Sequence, residues 1–377
     1  MPSRRTHTKS RHGCVQCKAS HVKCDLKRPK CARCVKTEKN CGFQNREGDS
    51  GPGTPSEALQ TQQVAPVPEP ELSLGSNTIS WDDLELLHHF ITVTANTFAD
   101  RSDIQEMWKV QIPKLAMDHK FLMHLLFSVT ALHMANLDTE KQSTYVDRAL
   151  RHHNVALPHF SSKFPTATHH NVASIFAGAT LIVVSSLNLS FAHLEHDPSA
   201  AVDEMFGIFI LLRGIKLVYG ETWERVQESE IAPLFANREL DSTIVLEHHT
   251  AEALATLKSN SQVSSDALDR TTYLDAVEGL ERCFKILSTE SQDFGMVLQW
   301  PIAISQEYMA LLSSRRPMAL VVLAYYAVVL HEVRDKWWVS GWGTKLAEEI
   351  NKILEDKWKT LIMWPLKRII PTFNDSI

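Results

Sequence analysis

The chain has 377 residues, 44% of them hydrophobic and 22% charged, with a net charge of −5. Its 14 glycines form no phosphate-cradling loop, and neither a Gly-x-Ser-x-Gly elbow nor a His-Glu-x-x-His pair occurs, so the sequence offers no catalytic site and is read as a non-enzyme. The most apolar run, Met318 to Leu330, is thirteen residues long, short of the about 20 that a membrane span needs, so no membrane span is expected.

Charge is divided unevenly. Residues 1–46 hold thirteen Lys and Arg against two Asp and Glu, a balance of +11, which leaves −16 for the rest. The same basic stretch holds six of the seven cysteines, Cys14, Cys17, Cys24, Cys31, Cys34 and Cys41, spaced C-x2-C-x6-C-x6-C-x2-C-x6-C. The last three repeat the first three at an offset of 17 residues, so two similar halves face one coordination problem. Three disulfides would need an oxidising compartment, and Met1-Pro2-Ser3-Arg4-Arg5 leads into polar and basic residues without an apolar signal core. Zinc is therefore expected. Tetrahedral zinc takes about four ligands, so six sulfurs satisfy two ions only if two of them are shared. A basic surface around such a cluster, with Arg11, Lys18, Lys23, Lys27, Arg28, Lys30 and Arg33, reads as a phosphate-binding face, with double-stranded DNA as partner.

These residues resemble the fungal zinc binuclear cluster transcription factors over about residues 12–44. Lys23-Cys24-Asp25 matches the family's basic-Cys-Asp signature, and Pro29 stands two residues before Cys31, where the family places the proline between its halves. The resemblance implies that Cys14 and Cys31 bridge the two metals. It also implies a short helix after the second cysteine that docks in the major groove, which places Lys18, Ser20, His21 and Lys23 at the DNA. Many members carry a basic run where this chain has Ala19-Ser20-His21. His21 with the following aliphatic residue and Lys-Cys-Asp, and the leader from Arg5 to Gly13, resemble the sterol uptake control subgroup.

Beyond the cluster, residues 47–78 contain Gly51-Pro52-Gly53-Thr54-Pro55 and Pro66-Val67-Pro68-Glu69-Pro70 and too few large apolar residues for a core, which predicts an extended, disordered linker. Its prolines and lack of heptads argue against a dimerisation helix there.

Residues 79–377 are expected to form an all-α domain. Leu84, Leu87, Ile91 and Phe98 follow Asp82-Asp83 at helical spacing, and Phe121, Leu122, Leu125, Leu126, Val129 and Leu132 form a second stripe. Further helices are predicted over Tyr145–Leu157, Val172–Leu187, Met205–Val218, Tyr273–Leu287, Met318–Val333 and Thr344–Ile362, with Pro158, Pro165, Pro198, Pro233, Pro301 and Pro317 as breakers. Trp337, Trp338 and Trp342 read as core rather than as a ligand cavity. The pairs His88-His89, His152-His153, His169-His170 and His248-His249 read as structural or surface residues, because adjacent helical side chains diverge. Cys283 reads as a small buried apolar residue.

Residues 84–137 and 296–343 resemble the regulatory domain of the sterol uptake control subgroup, through Leu84-Glu85-Leu86-Leu87-His88-His89-Phe90, Phe121-Leu122-Met123-His124, Trp300-Pro301-Ile302 and Arg315-Arg316-Pro317-Met318-Ala319. The resemblance implies an apolar pocket able to hold a sterol or other apolar small molecule. The function expected is a nuclear, sequence-specific regulator of RNA polymerase II transcription, acting at promoters with the transcription machinery. The competing reading is a ligand- or protein-binding scaffold whose basic module touches nucleic acid nonspecifically.

Overall fold

The computed structural model describes residues 14–20, 22–27, 30–37, 41, 80–163, 168, 171–220, 228–234, 244–263, 266–289 and 298–372. The chain divides into two compact units, Met1–Gly75 and Ser76–Ile377. The linker predicted over 47–78 and the pair His169-His170 lie outside the described residues.

In the first unit, the described helices are Val15–Ala19 and Ala32–Lys36, which are themselves related by the 17-residue offset of the cysteines. Each starts at a cysteine N-cap, Cys14 and Cys31. The expected helix after the second cysteine is thereby corrected: it begins at the first cysteine. A C-x2-C pair needs one helical turn to aim both sulfurs at the same side, so the turn has to lie between the ligands.

The second unit is helical, and no strand occurs among its described residues. Two helices form its centre. Lys120–Leu137 packs against Trp81–Thr92, Ile112–Asp118, Gln142–Lys163 and Val172–Leu194, and Pro317–Glu332 packs against Ala267–Leu287, Trp342–Ile353 and Met363–Ile369. Both are apolar on nearly every face, as helices surrounded by others must be, and all thirteen residues from Met318 to Leu330 are buried. One contiguous core runs through both halves. Val172–Leu194, at 23 residues, is long and apolar enough to cross a membrane, yet 78% of its most apolar window is buried within the domain. It is a core helix here.

Side-chain chemistry fixes the helix ends. Ser80 and Asp83 form a reciprocal capping box at the start of Trp81–Thr92, which removes orphan amides of the first turn. Gln306–Ser313 ends in a Schellman turn, in which Arg316 N–H donates to Leu311 O and Arg315 N–H to Leu312 O. Arg315 holds the left-handed position at φ 51° that glycine normally fills, and its guanidinium bonds Asp203 at 2.8 Å. Pro317 then opens the next helix at its first position, where a missing N–H costs nothing. Gly343 lets Trp342–Ile353 lie against Pro317–Glu332, since a Cβ there would meet Ala327 O at 2.6 Å.

The second apolar stripe, Phe121 to Leu132, is buried at all six positions. The first is shifted. Leu84 is 44% exposed, and Leu86 and Phe90 carry the buried face of Trp81–Thr92. Pro158 does not end its helix, which runs Gln142–Lys163. It is exposed, as is Asn154, so the carbonyl that loses its partner four residues back can face water. Thr344–Ile362 is broken at Leu354, whose ψ of 136° is extended, into Trp342–Ile353 and a short helix Asp356–Lys359 that runs on into a 3-10 turn at Thr360–Ile362. No Gly or Pro marks that break. Pro301 lies inside Gln299–Ala303, where Trp300 Nε1 donates to Ala276 O at 2.8 Å and the indole stacks on Tyr326 at 4.6 Å. Trp338 and Trp342 are buried in the core as read, and Trp342 Nε1 donates to Leu187 O at 3.0 Å.

Candidate metal centre and nucleic-acid interface

Five of the six N-terminal cysteines are buried, and together with Val22 and the half-buried Cys41 they make up the interior of the first unit's described residues. The sulfurs of Cys14 and Cys31 lie 3.7 Å apart, as do those of Cys14 and Cys34 and those of Cys17 and Cys31. Disulfide sulfurs sit at about 2.05 Å. Two ligands of one tetrahedral zinc, each about 2.3 Å from the metal, lie about 3.8 Å apart, which is the spacing found.

Two sets of four emerge, each with all its sulfurs within 4.8 Å of one another: Cys14, Cys17, Cys24 and Cys31, and Cys14, Cys31, Cys34 and Cys41. They share Cys14 and Cys31. The ligand count in the sequence requires two shared sulfurs, and the geometry supplies that pair. An all-sulfur donor set of this shape suits zinc.

Hydrogen bonds order the cluster. Cys34 N–H donates to the Cys31 sulfur at 3.5 Å and holds that thiol below its usual range, against the opposing effect of burial. Burial pushes the Cys17 thiol up to about 12, with contacts to Cys14 and Cys31 adding to the rise. The metal-free cluster thus resists full ionisation, whereas a bound cation stabilises the thiolates, so folding and metal binding are coupled. Both carboxylate oxygens of Asp25 lie 3.2 Å from Ala32 N–H at the start of the second helix. Within Lys23-Cys24-Asp25, the acidic residue therefore joins the two halves, a role the spacing did not reveal.

Of the predicted DNA contacts, Lys18, Ser20, Lys23 and Lys27 are exposed on this unit, while Arg11, His21 and Arg28 lie outside the described residues. Lys30, Arg33 and Lys36 are exposed too. Lys18 falls in the last turn of Val15–Ala19 and Ser20 is that helix's C-cap. These cations hold no ion pair among the described residues, and Asp25 is turned to the Ala32 amide. The result is a compact, unneutralised positive surface over a dense sulfur centre.

Two family models match the chain, the fungal Zn(2)-Cys(6) binuclear cluster domain over residues 12–50 and the fungal specific transcription factor domain over residues 85–193. The chain carries the two domains of the fungal Zn(2)-C6 transcription factors. It is 24% identical to a Zn(2)-C6 fungal-type transcription factor of Gibberella zeae over 97% of this chain and 87% of that protein. It is 26% identical to the Zn(2)-C6 fungal-type transcription factor afumD of Aspergillus fumigatus over 86% of each. Sterol uptake control protein 2 of Candida albicans is 30% identical over 38% of this chain and 22% of that protein. The cluster domain binds two zinc ions, the family regulates transcription by binding DNA, and its members are non-enzymes that are generally nuclear.

In the helical unit, Cys283 is 4% exposed and burial pushes its thiol up to about 12, which makes it an inert core residue. The histidine pairs divide. His152 lies 3.0 Å from His124 and 3.3 Å from Asp83, in a half-buried chain of three. His248 and His249 are exposed, and with Glu252 their ligand atoms come within 4.8 Å of one another, closer than the divergence argument expects at a helix start.

Proposed function

We propose that this protein is a nuclear, sequence-specific regulator of RNA polymerase II transcription, with a zinc-cluster DNA-binding domain in residues 1–46, a linker over 47–78 and a helical regulatory domain over 79–377. Cys14 and Cys31 each serve both metals, Cys17 and Cys24 complete one set, and Cys34 and Cys41 complete the other. The zinc ions supply cross-links in place of a hydrophobic core. Lys18, Ser20, Lys23 and Lys27, with Arg11, His21 and Arg28, form the DNA face. The observation that carries this reading is the pair of four-sulfur sets sharing Cys14 and Cys31 beneath an unpaired basic surface. Regulation is pathway-specific, of sterol and lipid genes or of a secondary-metabolite cluster; likeness to sterol uptake control protein 2 supports the former. The helical domain places this activity under control of a small molecule.

Genome-wide occupancy of the tagged chain tests the reading. A specific regulator concentrates at promoters that share a sequence motif. Scattered occupancy without a common motif would instead support a scaffold with nonspecific nucleic-acid contact, and would retire the regulator.

A further inference from the structure

In the helical unit, the turn at Lys357–Leu361 faces the start of the Pro317–Glu332 helix across a cleft of about 550 Å³, a volume typical of small-molecule sites. The Schellman turn at Arg315 and the proline after it set one wall. They leave Arg316 as the N-cap of a 16-residue helix that carries no side-chain cap and no acidic residue in its first turn. The Met318 and Ala319 amides therefore stand at the positive end of that helix without a capping partner, a setting that favours an anion. Pro317 and Met318 line the cleft.

A second observation is independent of the helix. Tyr273 also lines the cleft and is only 3% exposed. The buried Tyr308 and Tyr325 hydroxyls donate to the carbonyls of Ala319 and Ala253, whereas the Tyr273 hydroxyl has no partner among the described residues. Burial pushes its pKa up to about 12, so it remains a neutral O–H donor. Asn260 adds an amide, Trp358 an aromatic wall, and Arg316 and Lys357 two cations. Against these stands Asp269, the one carboxylate of the lining, 4.0 Å from Arg316. Lys357 also meets Glu355 at 2.7 Å in an exposed pair, which screens it only weakly.

We propose that this cleft binds a small aryl or alkyl carboxylate, its carboxylate held by Arg316, the Tyr273 hydroxyl and the free amides of the Pro317–Glu332 helix, its apolar body against Trp358. This deepens, and rests on, the reading of the helical domain as a ligand-controlled unit. A neutral sterol offers one hydroxyl to several donors and no charge to Arg316, so the cleft selects against it.

Calorimetric titration of the zinc-loaded full chain tests the site, with naphthalene-2-carboxylate, its neutral carboxamide, decanoate and ergosterol as probes. The carboxylates are expected to bind, with the carboxamide and ergosterol at least about tenfold weaker. Arg316→Gln and Tyr273→Phe should each weaken naphthalene-2-carboxylate by about tenfold, the size of one hydrogen bond to a charged group, with the thermal midpoint kept. Asp269→Asn should tighten it. Equal binding of the carboxamide, indifference to both weakening substitutions, or no carboxylate binding would overturn the site. Promoter occupancy, measured separately, keeps the two readings apart: a chain that occupies its promoters yet binds no carboxylate refutes the cleft alone.

Discussion

The zinc module and the helical unit hold their chains in place by opposite means. Among its described residues, the module has an interior of sulfur and one valine, while the helical unit has a large core running from Phe90 to Ile369 and a smaller one around Leu86, Phe127 and Leu132. In the module, nearly all the stabilisation resides in metal bonds, worth about 10–16 kcal/mol per structural zinc in isolated peptides. In the helical unit, it is spread over many buried side chains, each worth about 1.5–3 kcal/mol. Failure should therefore be all-or-none in one region and graded in the other.

Metal removal tests this contrast most strongly. A chelator that strips both zinc ions from the full chain should abolish DNA binding while leaving the far-ultraviolet helical signal and the main thermal transition in place. Cys14→Ala or Cys31→Ala should cost both metals, because each sulfur belongs to both sets. Cys17→Ala and Cys34→Ala should leave close to one zinc bound. Metal analysis and circular dichroism read both outcomes, and collapse of the helical signal on chelation would break the comparison.

A graded response is expected from Gly343→Ala. Its Cβ would stand 2.6 Å from Ala327 O and 2.8 Å from His331 Cβ, and neither is the end of a flexible side chain. The two helices must separate, at a cost of about 1–3 kcal/mol, visible as a lower thermal midpoint with zinc content unchanged. An unchanged midpoint would mean that the helix pair is loosely packed.

The same contrast governs what can be read from sequence. Coordination dictates spacing, so counting ligands already requires two shared sulfurs, and the resemblance names them as Cys14 and Cys31, the pair common to both four-sulfur sets. Helical packing dictates only a period. Around Leu84 the sequence carries two overlapping stripes, Leu84-Leu87-Ile91 and Leu86-Phe90, with Leu87 and Ile91 on the border of the buried face. Periodicity cannot choose between them; the neighbouring Lys120–Leu137 helix does. Pro158 shows the converse, since a breaker is tolerated where the orphaned carbonyl reaches water. The cleft joins Tyr273, Arg316 and Trp358, far apart in the chain, and no local pattern signals that meeting.

Acid provides a subtler probe of the helical unit. Burial lowers the His133 pKa to about 4, helped by the charge of His89, and burial likewise lowers His152 to about 4. His133 lies 2.9 Å from the Thr94 hydroxyl and stacks on Trp337 at 4.9 Å. With the unfolded value near 6.5, the unfolded chain takes up protons first as pH falls, so stability should decline between about pH 6.5 and 4 and then level off, by up to about 3 kcal/mol for each histidine. Chemical denaturation of the chelated chain across that window isolates the helical unit, and His133→Gln should flatten the slope. A slope unchanged by His133→Gln would show that this histidine titrates normally.

The smallest expected effect tests the module's outer surface rather than its centre. Ser20 is exposed and caps Val15–Ala19 through its backbone, with its N–H donating to Gln16 O at 3.0 Å. Its side chain makes no hydrogen bond among the described residues, so Ser20→Arg should leave the fold and both zinc ions intact. A serine hydroxyl can donate one hydrogen bond to a phosphate, but it brings no charge and releases no counterion. If position 20 faces the DNA backbone, the arginine should tighten binding to every sequence and steepen the dependence of log K on log salt by roughly 0.9, the value for one more neutralised phosphate. Lys23→Ala should flatten the slope by a similar amount. If position 20 faces a base edge, the slope should hold and discrimination between sites should change instead. Should neither substitution move affinity, slope or specificity, the segment between Cys17 and Cys24 does not touch DNA, and the basic residues of the second half, Lys30, Arg33 and Lys36, become the surface to test.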